Sequence, residues 1–233
     1  REAGLTEKKA SQVTNDWREK NLPESWNVAL SITDSFIQTP NQMSQDIALK
    51  TIGYFSRSQV TELLLGVALF HGFSKMLIAL GREPSDMDTV VIPTPTAPTD
   101  SLKVDYPRTN PMHRVLSPST NLRDRWLHFE DALWESDSCP KEILKVVRSR
   151  LAGLLALPNN FSNYYHTSSR DSSLASIADQ FFFDVRSISK EQRSSIVDEI
   201  GLDGLLNLMI CLALYDGAFR VISAISSLEG YWI

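Results

Sequence analysis

One segment of this chain occurs twice, and that doubling constrains the fold more than any other feature. Residues 62–80 read ELLLGVALFHGFSKMLIAL, and residues 207–225 read NLMICLALYDGAFRVISAI. The offset is constant (208 − 63 = 145) and needs no gap. Leu63, Ala68, Leu69, Gly72 and Ala79 recur as Leu208, Ala213, Leu214, Gly217 and Ala224. Phe70 becomes Tyr215, and Lys75 becomes Arg220. Identities and like-for-like apolar swaps in one register point to duplication, so two related halves are expected.

The local signals are helical. Thr6 suits the cap of a helix over about 7–19. Pro23 suits the first turn of the next, whose stripe is Trp26, Leu30, Ile32 and Phe36. Pro40 opens a shorter helix through about Leu49. Ser56 and Gln59 form a capping box ahead of the long apolar run, which Gly81 ends. Between 82 and 118 lie seven of the chain's 11 prolines, which predicts an extended linker. Helical periodicity resumes near Leu122, capped by Asn121, with Trp126, Phe129, Ala132 and Leu133 on one face. Cys139-Pro140 marks a break. Ile143, Val146, Val147, Leu151 and Leu154 then form a stripe that stops at Pro158. Further helices are expected at about 160–167, 174–186, 189–200 and 202–226. No stretch alternates like a strand, so the expected class is all-α. The expected organisation is a first unit over 1–81, a linker over 82–118 and a second unit over 119–233.

Composition excludes several partners. A net charge of −5 offers no basic face for nucleic acid. Two cysteines, Cys139 and Cys211, lack C-x-x-C spacing and predict a reducing, intracellular and cytoplasmic setting. Cys211 lies in an apolar helical run and reads as core. No stretch approaches the roughly 20 apolar residues of a membrane span, the best being Leu205–Leu214, so no span is expected. Walker A, G-x-G-x-x-G, G-x-S-x-G and H-E-x-x-H patterns are absent, and His113 and His128 have no metal-ligand spacing. No cofactor and no metal site is expected.

Gly4-Leu5-Thr6-Glu7, Trp26-x-x-Ala29-Leu30, Phe55-Ser56-x-x-x-Val60-x-Glu62-Leu63 and Ala79-Leu80-Gly81 together resemble the alkylhydroperoxidase D-like and carboxymuconolactone decarboxylase superfamily. The resemblance covers 1–81 as the latter part of one family domain and, more weakly, 119–228 as a second. It implies a tandem of helical domains and a homo-oligomer. The family's site resembles C-x-x-C-x-x-x-H on one helix, with a glutamate one helix earlier. That spacing puts both sulfurs and the imidazole on one face. A nearby base lowers the thiolate pKa, and the second thiol resolves the oxidised first.

In this chain the matching stretch is Asn159-x-x-Ser162-x-x-x-His166. Asn159 and Ser162 stand where the family has cysteines, and Arg170 follows the histidine as in the family. The family glutamate falls near Val146 or Val147, with Glu142 out of register. Dithiol chemistry is therefore not expected there. In the first repeat any C-x-x-C-x-x-x-H would precede Arg1, which is not a natural start. Such a segment would bring back thiol peroxidase chemistry.

Two readings of function remain. The first is a carboxymuconolactone decarboxylase-like or peroxidase-related enzyme, using cofactor-free acid–base chemistry on a small organic acid or lactone. His166 and Ser162 are its catalytic candidates, with Asn159, Tyr165 and His71 as substrate-binding candidates. The second is a catalytically silent helical structural or interaction protein. Gly72 and Gly217 most simply permit close helix approach. Lys75 and Arg220 suit a salt bridge or a surface role better than substrate binding.

Overall fold

The computed structural model describes residue 13 and residues 16–83, 110–157 and 175–232. Every regular element among them is helical, as the periodicity predicts. The helices are α1 (Glu24–Gln38), α2 (Gln45–Tyr54), α3 (Arg57–Ala79), α4 (Pro111–Val115), α5 (Thr120–Glu135), α6 (Lys141–Leu154), α7 (Ala175–Phe183) and α8 (Lys190–Leu228). The helix expected at 160–167, most of that expected at 7–19 and most of the expected linker lie outside the described residues; of the 7–19 stretch, Trp17–Glu19 form a single 3-10 turn.

Helix boundaries follow local chemistry. The Ser56 hydroxyl accepts from Gln59 N, and the Gln59 side chain accepts from Ser56 N, closing the predicted capping box of α3. Gly81, at φ 84°, takes the left-handed conformation that stops the helix cheaply. α2 departs from expectation. It begins after Ser44, whose hydroxyl accepts from Ile47 N, rather than at Pro40. A side-chain cap there outweighs the permissive φ of proline. α5 starts after Ser119, two residues before Asn121. Pro111 opens the short α4, so the expected linker contains one helical turn. The stretches expected at 189–200 and 202–226 are both helical and are separated, as expected, by the non-helical Gly201 at φ 77°; the two are numbered together here as α8.

The core stripes match those read in sequence in part, with Ile32 and Phe36 of α1 and Val146, Val147 and Leu151 of α6 buried as expected. α1 buries Val28, Ile32 and Phe36, while Trp26 and Leu30 stay half-buried. α6 buries Leu144, Val146, Val147 and Leu151 rather than Ile143 and Leu154. One contiguous hydrophobic cluster draws on both sides of the expected linker. The duplication extends beyond the segment first noticed. Ile32 and Phe36 of α1 recur at the same offset as Ile177 and Phe181 of α7, and all four are buried. The Ser44 cap recurs as the Ser189 cap of α8, and Ser56 falls opposite the Gly201 bend.

The most extensive contact is α3 against α8, which sets one copy of the repeat on the other. It is reciprocal. A Cβ on Gly72 would lie 2.4 Å from the Ala213 carbonyl oxygen, and one on Gly217 would lie 3.1 Å from the Ala68 carbonyl oxygen. Each glycine therefore seats the other repeat's alanine, and the close approach expected of both is what the structure has.

Among the described residues two helices reach the length and apolarity of a membrane span, although no apolar run in the sequence suggested one. They are Arg57–Ala79 and Lys190–Tyr231, with mean hydropathy 1.5 and 1.7 in their best windows. Interrupting residues such as Glu62 and Asn207 hide the totals. The α8 window is 94% buried within the protein and the α3 window only 28%. By this measure α8 is a core helix, and α3 is covered on one side.

Candidate functional site

Next to the glycine crossing, α3 and α8 bring four polar side chains together inside an apolar region. Asp216 is fully buried and Arg220 is 5% exposed. Asp216 Oδ2 lies 3.2 Å from Lys75 Nζ and 3.4 Å from His71 Nε2, and Oδ1 lies 3.2 Å from Arg220 Nε. The His71 contact has ion-pair distance, but the ring N–H points off the hydrogen-bond line. Lys75 also donates to the Phe182 carbonyl at 3.4 Å and stands 4.7 Å from the Phe181 ring centre. Arg220 donates to the Ile37 carbonyl at 2.5 Å, tying the cluster to α1. The pairing of Lys75 and Arg220 with Asp216 is the salt bridge their conserved sign suggested.

Burial alone would raise the Asp216 carboxyl. The close approach of the His71 ring, with the charges of Lys75 and Arg220, overrides it and holds the group down at about 2. Lys75 is shifted down, chiefly by burial and then by the Arg220 charge, against the pull of Asp216. Two basic side chains, Lys75 and Arg220, face the single Asp216 carboxylate.

Over it opens a cavity of about 630 Å³, lined by Ile37, Leu63, Val67, Phe70, His71 and Lys75 among others. Apolar walls with a few convergent polar groups are the usual make-up of a small-molecule site. His71 is the sequence-predicted residue that this site includes. His166, Ser162, Asn159 and Tyr165 lie outside the described residues.

The sequence reading missed Asp216 as the hub. The available signal was an acid and a base at i and i+4, Asp216 and Arg220, inside an otherwise apolar helix. It also missed a second buried network, built on Tyr215 of α8. The Tyr215 hydroxyl donates to Glu130 Oε1 at 2.6 Å and accepts from Trp134 Nε1 at 2.7 Å. Asn110 donates to Glu130 Oε2 at 2.9 Å, and the Arg148 guanidinium lies 4.5 Å from the Trp134 ring centre. These contacts fasten α5, α6 and the start of α4 onto α8. None of these five side chains lines the cavity beside His71.

Neither cysteine suits thiol chemistry. Burial pushes the Cys139 thiol up to about 11 and the Cys211 thiol higher still. Cys211 is core, as read from its apolar surroundings. The 181–183 aromatics divide, with Phe181 buried and Phe183 72% exposed. Among the described residues no group of three or more His, Cys, Asp or Glu side chains is placed to hold a metal. Comparison with known proteins finds no matching family model, no similar curated protein and no similar solved structure.

Proposed function

We propose that this chain is a tandem, diverged alkylhydroperoxidase D-like protein whose cavity beside His71 performs cofactor-free acid–base chemistry on a small organic acid or lactone. One observation carries the reading: a histidine paired with a buried, low-pKa carboxylate faces an apolar cavity. Asp216 stays ionised and favours a proton on the His71 nitrogen nearest it. The other ring nitrogen is then left to take a proton from, or return one to, a bound molecule. The two basic side chains Lys75 and Arg220, set on a single Asp216 carboxylate, favour a carboxylate or a developing enolate. The raised cysteine thiols favour this chemistry over thiol peroxidation in the described residues. The tandem arrangement is supported by the recurrence of caps, core residues and helix order at one offset.

The test is turnover of an unsaturated γ-lactone bearing a carboxylate by wild type, His71→Gln and His166→Ala. Loss of about 10²–10⁴-fold in kcat with His71→Gln is expected for a removed acid–base group. Turnover that survives His71→Gln and disappears with His166→Ala would move the chemistry to the resemblance-derived site. Absence of turnover and of carboxylate binding by wild type would sink the enzymatic reading.

A non-catalytic interaction protein is the second reading, and one observation favours it. Phe70 is 81% exposed on α3, whereas its repeat partner Tyr215 is fully buried.

A further inference from the structure

The two basic positions of the repeat do one structural job with different chemistry. Lys75 Nζ donates to the Phe182 carbonyl at 3.4 Å, and Arg220 donates to the Ile37 carbonyl at 2.5 Å. Ile37 and Phe182 are themselves counterparts at the 145-residue offset. Each copy's cation therefore holds the last turn of the other copy's helix, α1 or α7. A guanidinium does this at Arg220 and would serve equally at residue 75. A lysine amine differs in one respect: it can give up its proton and act as a nucleophile, which arginine does not do in proteins.

The surroundings of Lys75 suit that use. Its side chain is 12% exposed and lines the cavity beside His71. The Phe181 and Phe182 ring centres lie 4.7 and 5.7 Å from Nζ. Burial shifts the amine down from its ordinary value, Asp216 pulls it back, and the Arg220 charge adds to the fall. Apolar burial and an adjoining cation are two settings that activate a lysine as a nucleophile.

We infer that Lys75 is a covalent catalytic residue, bonding through an imine to the carbonyl carbon of a β-oxo acid in the cavity beside His71. The inference rests on the catalytic reading of that cavity and names its substrate class. The amine nitrogen bonds to the carbonyl carbon, the carbonyl oxygen leaves as water, and a protonated imine remains. One ammonium is exchanged for one iminium, so Asp216 Oδ2 keeps a cationic neighbour and no buried carboxylate is orphaned. The bond to the substrate carboxylate then breaks. Carbon dioxide leaves, and the electron pair is drawn to the imine nitrogen, giving an enamine. Protonated His71 gives a proton to the enamine carbon and takes one back from solvent. Water then cleaves the imine, releasing a ketone and returning Lys75 as the ammonium. The net change is β-oxo carboxylate plus one proton to ketone plus carbon dioxide.

Borohydride reduces an imine to a stable secondary amine, so trapping on the full chain with acetoacetate reads the bond directly. Peptide mass mapping should place a substrate- and borohydride-dependent group on Lys75, as isopropyl once carbon dioxide has left. Lys75→Arg should abolish this label and still fold, since arginine holds the equivalent place in the other copy; a melting curve checks the fold, and the wild-type map decides without the variant. His71→Gln should keep the label and slow acetone release. Unchanged acetone release from a labelled His71→Gln protein overturns the histidine reading and leaves the lysine standing. Wild type unlabelled at Lys75 overturns the inference, even where His71→Gln abolishes lactone turnover. So does a label confined to other lysines, or one undiminished in Lys75→Arg. A trapped group that always retains its carboxylate overturns the decarboxylation.

Discussion

Alanine substitution at three glycines of the repeated helices separates steric need from helix propensity. Gly66, Gly72 and Gly217 all lie inside helices, so each change to alanine gains the same intrinsic preference of about 0.8–1 kcal/mol. Their surroundings differ. The new methyl meets nothing at Gly66, backbone oxygen at 2.4 Å at Gly72, and oxygen at 3.1 Å with a methyl at 3.2 Å at Gly217. At Gly72 the contact must open from 2.4 Å to at least 3.0 Å, and the obstacle is backbone rather than a side chain that can swing aside. That forces α3 away from α8 at the centre of the core. Overpacking of this kind costs about 1–3 kcal/mol, and backbone against backbone places Gly72 at the upper end. After the propensity gain, Gly72→Ala should be about 2 kcal/mol less stable than wild type and Gly66→Ala about 0.5–1 kcal/mol more stable. Gly217→Ala should fall near zero, its mild crowding offset by propensity. Urea denaturation of dilute protein measures all three, and a domain of this size should shift its Tm by about 2–4 °C per kcal/mol. Equal stability of Gly72→Ala and Gly66→Ala would refute the reciprocal glycine crossing.

Asp216→Asn leaves Lys75 and Arg220 facing a neutral amide in the interior, and should cost about 3–5 kcal/mol in urea denaturation. Because the folded Asp216 carboxyl sits at about 2, below its ordinary unfolded value of about 3.9, its stabilisation is complete above the unfolded value. That stabilisation should fade as pH drops from about 4 towards 2, and the Asp216→Asn protein should lack that part of its acid sensitivity. Cys139 and Cys211 should resist iodoacetamide at pH 8 in native protein and both react in denaturant, as mass spectrometry can count. Rapid labelling of either native thiol would contradict the burial that raises them.

Much of the helical layout was legible because it is written in local chemistry. Ser56 and Gln59, Gly81, the Cys139-Pro140 break and the Gly201 bend each act within a few residues of themselves. Pro40 misled because its fixed φ permits a helix start but does not compel one, whereas the Ser44 hydroxyl bonds a free backbone N–H. The stripes of α1 and α6 were right at Ile32, Phe36, Val146, Val147 and Leu151 and missed only at their edges, since which flank of an apolar run is buried depends on what packs against it. His71 stood out as a polar residue in an apolar repeat. Its partner Asp216 stood at the equivalent position of the other copy, but their meeting depends on how α3 crosses α8. Phe70 and Tyr215 are near-identical in sequence context and opposite in exposure. Only the placement of α5 and α6 over one of them makes that difference.

The pairing of α3 with α8 also has a temporal side. The helices that grip each other through Gly72 and Gly217 are 145 residues apart along the chain. At about 5–20 residues per second, a ribosome makes the second of them about 7–30 s after the first. Through that interval the Leu64, Leu65 and Ala68 side of α3, which is buried in the finished protein, has no α8 to rest on. Contacts of such long sequence separation form late and slow folding. A chain interrupted before α8 is made would leave that apolar side of α3 without its final cover.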